Sequence, residues 1–438
     1  MSSGDRSLSS DFGAVLIQVL KVAILTGASH VARLITMLVI LKLIALKTGP
    51  AGMGFWGNFI TLVSIAGSLA GGGILSGIIK YVAQFTNDKR RCDSFTGSAL
   101  LYSMGFSLLV ALIGNLYAAP ISVIIFGSDA FIKWIRYFLI LQFGIALNNF
   151  AYGVINGEKK SASYALCVIA GNILALSFAL WKIPSGESQD IFWSILAPAL
   201  GPLLPVLWWF LRTRILLRVR FNNFLRDARL LANFSLMLAF STVCFPVVEI
   251  LVRNQIIAVI SLDAAGYWQA VTRISAAFLS FFSLFLMVYF IPLVSAETNK
   301  TVIFRKTCQS MALLGAAVIA LMLLVWRWGE YLIAGLYSNE FLLVKPWLQT
   351  QLLGDLFRVM AWVIGFLIVA KAKTSWYLLC EILQGGLFLL LANLQIYYRS
   401  SVLAVIDAYV LTSFIYFVIL LSVFFYAFRY RKVMVMVK

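Results

Sequence analysis

Residues 402–428 read "VLAVIDAYVLTSFIYFVILLSVFFYAF" and carry one charged side chain, that of Asp407. A helix crosses a hydrocarbon core of about 30 Å with about 20 mostly apolar residues. Within lipid a helix also satisfies its own backbone hydrogen bonds, which an open strand does not. The stretch therefore predicts a membrane-spanning helix.

Similar stretches recur along the whole chain. Of its 438 residues, 62% are hydrophobic and 12% are charged, whereas an ordinary soluble domain has about 25% charged residues. We predict an all-α polytopic membrane protein with about 12 transmembrane helices. The predicted spans are residues 14–45, 51–84, 95–118, 131–156, 161–183, 190–212, 230–260, 265–294, 303–327, 345–370, 374–398 and 402–428.

The net charge of +18 is concentrated in alternate loops between these spans. One set of loops carries only scattered cations such as Lys47, Lys182 and Lys345. The other set, which lies on the same side as both predicted termini, carries most of the positive charge. Short basic loops stay in the cytoplasm, so we expect both termini to be cytoplasmic. The charge is then a signal of topology in a lipid bilayer, and no nucleic-acid partner is needed to explain it. The other set, with the C-terminal tail, holds Lys89, Arg90, Arg91, Lys159, Lys160, Arg212, Arg214, Arg218, Arg220, Arg226, Arg229, Lys300, Arg305, Lys306, Lys371, Lys373, Arg429, Arg431 and Lys432.

Two short motifs recur at nearly the same offset. "KSASYALC" (160–167) is similar to "KTSWYLLC" (373–380) at an offset of 213, and "GFW" (54–56) is similar to "GYW" (266–268) at an offset of 212. An offset that spans six helices preserves orientation, so we predict two parallel six-helix lobes around a central cavity, where such repeats tend to bind substrates. The predicted parts are an N-terminal lobe at 1–211, a basic cytoplasmic connector at 212–229 and a C-terminal lobe at 230–438.

Polar side chains follow single faces of several predicted helices. A charge at the centre of a membrane helix costs about 2.5–3.5 kcal/mol, so such residues usually face a bundle interior or water. We therefore expect these faces to line a cavity. In the first span the face consists of Thr26, Ser29, Arg33 and Thr36, with His30 beside them.

The second and eighth spans carry equivalent polar faces. A shift of 212 residues places Thr61 on Arg273 and Ser68 on Ser280. Symmetry would then point both faces at one central space. The second span contributes Asn58, Thr61, Ser68 and Gly72, and the eighth contributes Gln269, Arg273, Ser280 and Ser283.

Several of these charges also have a purely structural interpretation. Glu249 and Arg253 are spaced i, i+4 in the seventh span, and Asp355 and Arg358 are spaced i, i+3 in the tenth. Each pair can be an internal ion pair. His30 can be a buried neutral imidazole held by a hydrogen bond.

Other cations lack such a partner. Arg33 and Arg273 have no acidic residue at i±3 or i±4, which favours a ligand-binding role. Lys80 lies near a span end and can extend to the interface. Because arginine recognises phosphate through two parallel hydrogen bonds, cationic faces without matching acids indicate an anionic substrate.

The sequence contains little that suggests chemistry. Its five cysteines include no CxxC pair, and it has one histidine, so we expect no metal site and no disulfide framework. No GxxxxGK[ST] nucleotide-binding motif occurs, and the outer loops are short. We therefore expect a protein without a cofactor that is not an enzyme.

Two motifs near the N-terminus resemble a known family. "KTGPAGMGFWGNF" (47–59) and "GSLAGGGILSGIIKYVAQF" (67–85) are similar to the start of Wzx-type flippases, bacterial translocases of the multidrug/oligosaccharidyl-lipid/polysaccharide exporter superfamily. Further similarity lies in 266–275, 352–372 and 377–384. The resemblance covers nearly the whole chain, and the segment around Lys80 favours the O-antigen and enterobacterial-common-antigen branch.

This resemblance implies a twelve-helix fold in the bacterial inner membrane whose two lobes open alternately to each side. The implied substrate is an undecaprenyl-diphosphate-linked oligosaccharide of the O-antigen repeat type, moved from the cytoplasmic to the periplasmic leaflet for lipopolysaccharide biosynthesis. Candidate partners are a polysaccharide polymerase and a chain-length regulator. Lys371 lies in a matched segment, but the resemblance gives it no role.

The resemblance also implies roles for particular residues. Family members have a cationic cavity lined by the first, second, seventh and eighth helices, and Arg33, Arg253 and Arg273 lie on three of these. We expect the three arginines to hold the diphosphate. The candidate substrate-binding residues are Arg33, Arg253, Arg273, His30, Asn58 and Lys80, and the candidates for proton coupling are Asp355, Glu249 and Glu381.

Two alternative functions remain open from the sequence. A drug exporter of the same superfamily would favour an acidic or aromatic cavity, in contrast to the cationic faces described above. A membrane polymerase or acyltransferase is the other alternative, and an acyltransferase would need His30 as its catalytic base.

Overall fold

The computed structural model describes residues 4–215, 220, 223–295, 297–371 and 374–429. It does not describe the side chains of 4–23, 233, 237, 239–241, 374–375, 377–378 and 429. Over the described ranges all regular structure is helical, and eleven segments are long and apolar enough to cross a membrane. The prediction of an all-α polytopic membrane protein is confirmed. Lys373, the tail beyond 429 and six residues of the predicted connector lie outside the described residues.

Fifteen α-helices follow one another along the described chain, with short 3-10 or π turns between some of them. They are α1 (Gly4–Leu69), α2 (Leu75–Gln84), α3 (Lys89–Leu116), α4 (Ala118–Phe126), α5 (Ile132–Gly157), α6 (Ser161–Lys182), α7 (Ser188–Leu200), α8 (Leu203–Thr213), α9 (Phe224–Val259), α10 (Leu262–Phe285), α11 (Ile291–Ser295), α12 (Lys300–Leu336), α13 (Lys345–Ala370), α14 (Thr374–Arg399) and α15 (Val402–Arg429).

Helix α1 joins two of the predicted spans. Its candidate membrane part, Ile24–Leu69, has 46 residues. At 1.5 Å per residue this is about 69 Å, roughly twice the thickness of a hydrocarbon core. Gly49 interrupts it with φ 60° and ψ −163°, a left-handed backbone that glycine adopts without a Cβ clash. Pro50 follows and lacks an N–H donor. The eleven segments therefore contain the roughly twelve predicted crossings.

One predicted span is wrong in its continuity. The span 51–84 is broken because α1 ends at Leu69 and α2 begins only at Leu75. Between them Gly71, Gly72 and Gly73 have φ of 76°, 85° and 65°, which a helix does not allow. The predicted span 190–212 is confirmed as one candidate crossing, Ser188–Thr213, because Gly201 and Pro202 between α7 and α8 keep a right-handed helical backbone.

The helices form two compact units. Unit 1 comprises Met1–Leu43, Val63–Val123 and Gly127–Ala239. Unit 2 comprises Ile44–Leu62, Ile124–Phe126 and Phe240–Lys438. The lobe boundaries predicted from the sequence, 1–211, 212–229 and 230–438, stay a prediction.

Each unit has its own core. In unit 1, α5 packs against α2 and α3 around buried residues such as Ile78, Phe95 and Phe150. In unit 2, α13 packs against α12 and α15 around Phe290 and Val359, among others. Because lipid tails are as apolar as these side chains, close packing rather than exclusion of water holds such helices together.

Candidate functional site

Helices α1 and α10 approach each other at the two duplicated glycines. A Cβ atom on Gly54 would lie 2.2 Å from the carbonyl oxygen of Leu262, and one on Gly266 would lie 1.8 Å from that of Pro50. Pro50 and Leu262 are themselves 212 residues apart, so the contact is reciprocal. Only residues without a side chain allow backbones this close. The contact supports the duplication and brings the two predicted polar faces side by side.

Arg253 of α9 lies fully buried against this helix pair. Its Nη1 donates to Oδ1 of Asn58 at 2.6 Å, and its Nη2 donates to Oε1 of Gln269 at 2.5 Å. The guanidinium carbon of Arg253 lies 5.2 Å from the ring centre of Trp268, within the range of a cation–π interaction. Gly57 leaves the space, since a Cβ there would lie 2.8 Å from Nε of Arg253.

Arg273 of α10 reaches the same place. Its Nη2 donates to the hydroxyl oxygen of Thr61 at 2.9 Å, and Nη1 of Arg253 lies 3.5 Å from that oxygen. The hydroxyl in turn donates to the carbonyl oxygen of Gly57 at 3.0 Å. Two guanidinium groups thus converge on one hydroxyl, and the residues predicted to be equivalent, Thr61 and Arg273, contact each other.

Neutral oxygens hold both of these arginines. Within the described part of the chain, no carboxylate oxygen lies within 4 Å of either guanidinium. The ion pair considered for Glu249 and Arg253 is therefore not formed. Hydrogen bonds to a charged group are each worth about 1.5–3 kcal/mol, but they leave the net charge in place. The arrangement favours a bound anion.

A second polar network surrounds Asp355 of α13, which is buried. Its carboxylate accepts hydrogen bonds from the hydroxyls of Ser275, at 2.7 Å, and Tyr409, at 2.6 Å. The Tyr409 oxygen also accepts from Nη1 of Arg358 at 3.3 Å. Asp355 and Arg358 are thus bridged by the tyrosine instead of forming the direct pair considered from the sequence. The Arg358 guanidinium lies 4.2 Å from the ring centre of Phe245.

A cavity of about 40 Å³ adjoins this second network. Glu249, Thr272, Gln351 and Arg358 are among the residues that line it. A water molecule needs about 10–15 Å³ of such space and two or more polar partners, so the cavity accommodates a few waters. Glu249 and Arg358 therefore share one polar space within unit 2.

The remaining candidates occupy other places. In unit 1, Arg33 and Lys80 are exposed and His30 is half-buried. Ser29 and Thr36, from the same predicted face as Arg33, are buried and donate to carbonyl oxygens of their own helix. In unit 2, Glu381 is half-buried. A convergence of Arg33, His30 and Lys80 with the arginines of unit 2 stays a prediction.

Sequence reasoning missed several hydrogen-bonding residues of these networks, among them Ser275, Tyr409 and Asn254. Tyr409 lies in the apolar stretch 402–428, where nothing in the pattern distinguishes its hydroxyl. Asn254, whose Oδ1 accepts from Nδ2 of Asn58 at 2.5 Å, follows Arg253 directly and so was not assigned to a polar face. Among the described residues no cluster of three or more His, Cys, Asp or Glu side chains suits a metal ion.

The eleven apolar helical segments define a multi-pass membrane protein over the described residues. No family model matches the sequence. The chain is 32% identical over 409 residues to the lipid III flippases of Escherichia coli (strain K12) and Shigella flexneri, which covers 92% of this chain and 97% of each relative. The chain belongs to the family of these flippases. The expectation that it is a transporter and not an enzyme is confirmed by this membership.

Solved structures share the fold at low sequence identity. An inward-facing multidrug resistance MATE transporter of the MOP superfamily has a TM-score of 0.71 at 14% identity, covering 90% of this chain and 94% of that one. The lipid II flippase MurJ, in an inward closed conformation, has a TM-score of 0.66 at 15% identity, covering 92% and 87%. At these identities the similarity concerns the fold alone.

Proposed function

We propose that the protein is a flippase that moves an undecaprenyl-diphosphate-linked oligosaccharide from the cytoplasmic to the periplasmic leaflet of the inner membrane by alternating access. Its family membership supports the class of activity. The observation that carries the proposal is the convergence of Arg253 and Arg273 on Thr61 without a carboxylate within 4 Å in the described chain. No carboxylate balances the charge of this site in the described chain, and a bound diphosphate would balance it.

The two arginines would have different tasks. Arg253 is fully buried, so it positions Asn58 and Thr61 and adds positive potential. Arg273 is half-buried, and its Nε, like that of Arg253, is buried without a hydrogen-bond partner in the described structure. A phosphate oxygen that reached this Nε beside Nη2 would complete a bidentate contact. Arg33 is proposed as a further cationic contact, because it is exposed on α1.

The finer identity of the cargo is also a proposal. The sequence resemblance favours an O-antigen-type repeat unit, whereas the named relatives flip lipid III. In either case the diphosphate and its sugars would cross through the predicted central cavity, while the prenyl chain of the substrate stays in lipid. If the cargo is an O-antigen-type repeat unit, a polysaccharide polymerase and a chain-length regulator are proposed to act on it after translocation.

Energy coupling is proposed to involve Asp355, Glu249 and Glu381. Asp355 is buried and accepts two hydroxyl hydrogen bonds, and Glu249 lines the adjoining cavity. Buried acids in membrane proteins commonly mark proton pathways. Waters in this cavity would link Glu249 to the Tyr409–Asp355 pair.

Surface polysaccharide in the producing cell tests the proposal. We expect Arg273→Ala, and more strongly Arg273→Ala combined with Arg33→Ala, to lower it at least about tenfold, the effect of about 1.4 kcal/mol. Arg327→Ala is the matched control, because Arg327 is exposed and stacks on Trp328. Normal polysaccharide from both Arg273 variants at normal protein levels would contradict the proposal, and export of cationic dyes would favour the drug-exporter alternative.

A further inference from the structure

A narrow apolar cleft lies in unit 2 between α12, α13 and α15. Its free volume is about 20 Å³, and its walls include Ile303, Leu367, Leu420 and Phe424. Lys371, directly after the end of α13, is the one charged residue that lines it. The described residues that line this cleft include neither Arg253 nor Arg273 and none of the residues that line the cavity beside Asp355. The cleft is therefore a separate feature.

Two lysines meet at one glutamate at the charged end of this cleft, and two further cations lie nearby in sequence on α12. Nζ of Lys371 donates to the backbone carbonyl oxygen of Glu297 at 2.8 Å. Nζ of Lys306 lies 3.4 Å from the side-chain Oε2 of Glu297. Lys300 and Arg305, in the first two turns of α12, are exposed. Four cations and one carboxylate leave a net charge of +3 over these five residues.

The carboxylate of Glu297 is already occupied. Its Oε1 accepts from the backbone N–H groups of Thr298 and Asn299, both at 3.1 Å. These bonds, the one from Asn299 first, lower the pKa of Glu297 and keep it ionised. It neutralises one of the neighbouring charges, and the excess positive charge remains at the mouth of an apolar cleft.

We propose that this cleft binds an anionic phospholipid of the surrounding bilayer, with the headgroup phosphate at Lys371 and Lys306 and an acyl chain lying along the apolar side chains of α12, α13 and α15 that line the cleft. Basic pockets between membrane helices recognise such headgroups. The proposal is independent of the flippase assignment and gives a role to Lys371.

Lipid binding to the purified full chain, measured by native mass spectrometry, tests the proposal. The probes are dioleoyl phosphatidylglycerol, dioleoyl phosphatidylcholine, undecaprenyl phosphate and inorganic phosphate. We expect phosphatidylglycerol to bind saturably and at least fivefold more tightly than phosphatidylcholine, about the effect of one lysine near an anionic lipid. Lys371→Gln should weaken phosphatidylglycerol about fivefold, and Lys371→Arg should restore it.

Lys345→Gln provides the matched control. Lys345 begins the same helix, α13, and pairs with Glu330 at 2.7 Å, so its loss should leave lipid binding unchanged. The proposal would be overturned by equal binding of phosphatidylcholine, by wild-type binding of Lys371→Gln, or by displacement with inorganic phosphate. Tighter binding of undecaprenyl phosphate would also overturn it, because the cleft would then belong to the cargo. Since no transport is measured, failure here leaves the flippase proposal unaffected.

Discussion

At the scale of single residues, Arg253 depends on the side-chain oxygens of Asn58 and Gln269. Both are neutral acceptors on other helices, and both distances are short. A buried charge that loses a partner is left incompletely solvated, and this costs more than the bond itself contributes. The hydrogen-bond partners of Arg253 are therefore expected to matter for stability as well as for transport.

We expect Asn58→Leu to destabilise the protein by about 1.5–3 kcal/mol, because it leaves the guanidinium of Arg253 without one acceptor. The measurement is the midpoint of thermal unfolding in detergent. Asn393→Leu is the control, since the amide of Asn393 is half-buried and donates only to Leu389 of its own helix in the described contacts. Equal midpoints for the two variants would show that the bond between Asn58 and Arg253 contributes nothing.

Tyr409→Phe tests the bridge between Asp355 and Arg358. The substitution removes one of the two hydroxyls that donate to the Asp355 carboxylate. It also removes the oxygen that accepts a hydrogen bond from Arg358. We expect a loss of about 1.5–3 kcal/mol that is non-additive with Ser275→Ala, because both hydroxyls serve one carboxylate. Thermal midpoints of the two single variants and the double variant measure this coupling. Strict additivity would contradict a shared network.

Sequence reasoning reached only part of this residue-scale description. The equivalence of Thr61 and Arg273 is predictable, because their helical spacing and the offset of 212 are both visible in the sequence. The hydrogen-bond partners of Arg253 are not predictable, because a side chain that reaches across helices leaves no periodic signal. Asp355 and Arg358 were adjacent on one face, but their bridging hydroxyl came from a helix more than 40 residues later in the chain.

At the scale of helices, the crossing of α1 and α10 at Gly54 and Gly266 places the polar network. A methyl group on either residue would meet a backbone oxygen, which has no alternative rotamer. The helices would have to separate, and Thr61 would then move away from Arg273. This links the packing of two helices to the geometry of the proposed anion site.

We expect Gly266→Ala to destabilise the protein by about 1–3 kcal/mol, as overpacking does, and to lower transport further than stability explains. Gly365→Ala is the control, because a Cβ atom on Gly365 of α13 would have no neighbour within 4 Å. Alanine is also the better helix former, so this control should be neutral or slightly stabilising. Thermal midpoints and surface polysaccharide are measured together, and indistinguishable variants would contradict the close crossing.

The spans themselves were predictable, since hydropathy and length determine them. The prediction failed where glycines break a helix. Gly71 packs closely against its neighbours, with a Cβ position 2.2 Å from Oγ of Ser103. The positive φ values at 71–73 depend on such neighbours, which a local pattern does not encode.

At the scale of the whole molecule, composition and duplicated motifs were enough to predict a helical transporter, and its family membership agrees. The cargo was not predictable in the same way. Recognition of a particular oligosaccharide depends on many side chains contributed by helices far apart in sequence. A charge pattern specifies an anionic head but not the sugars attached to it.

The most direct measurement is flipping by the purified protein in proteoliposomes that contain an undecaprenyl-diphosphate-linked oligosaccharide in one leaflet. An enzyme or lectin outside the vesicle reports how fast the sugar appears in the opposite leaflet. We expect flipping by the wild type and by Arg327→Ala, and a rate at least about tenfold lower for Arg273→Ala. Equal rates for wild type and Arg273→Ala would contradict a diphosphate site built on these converging arginines.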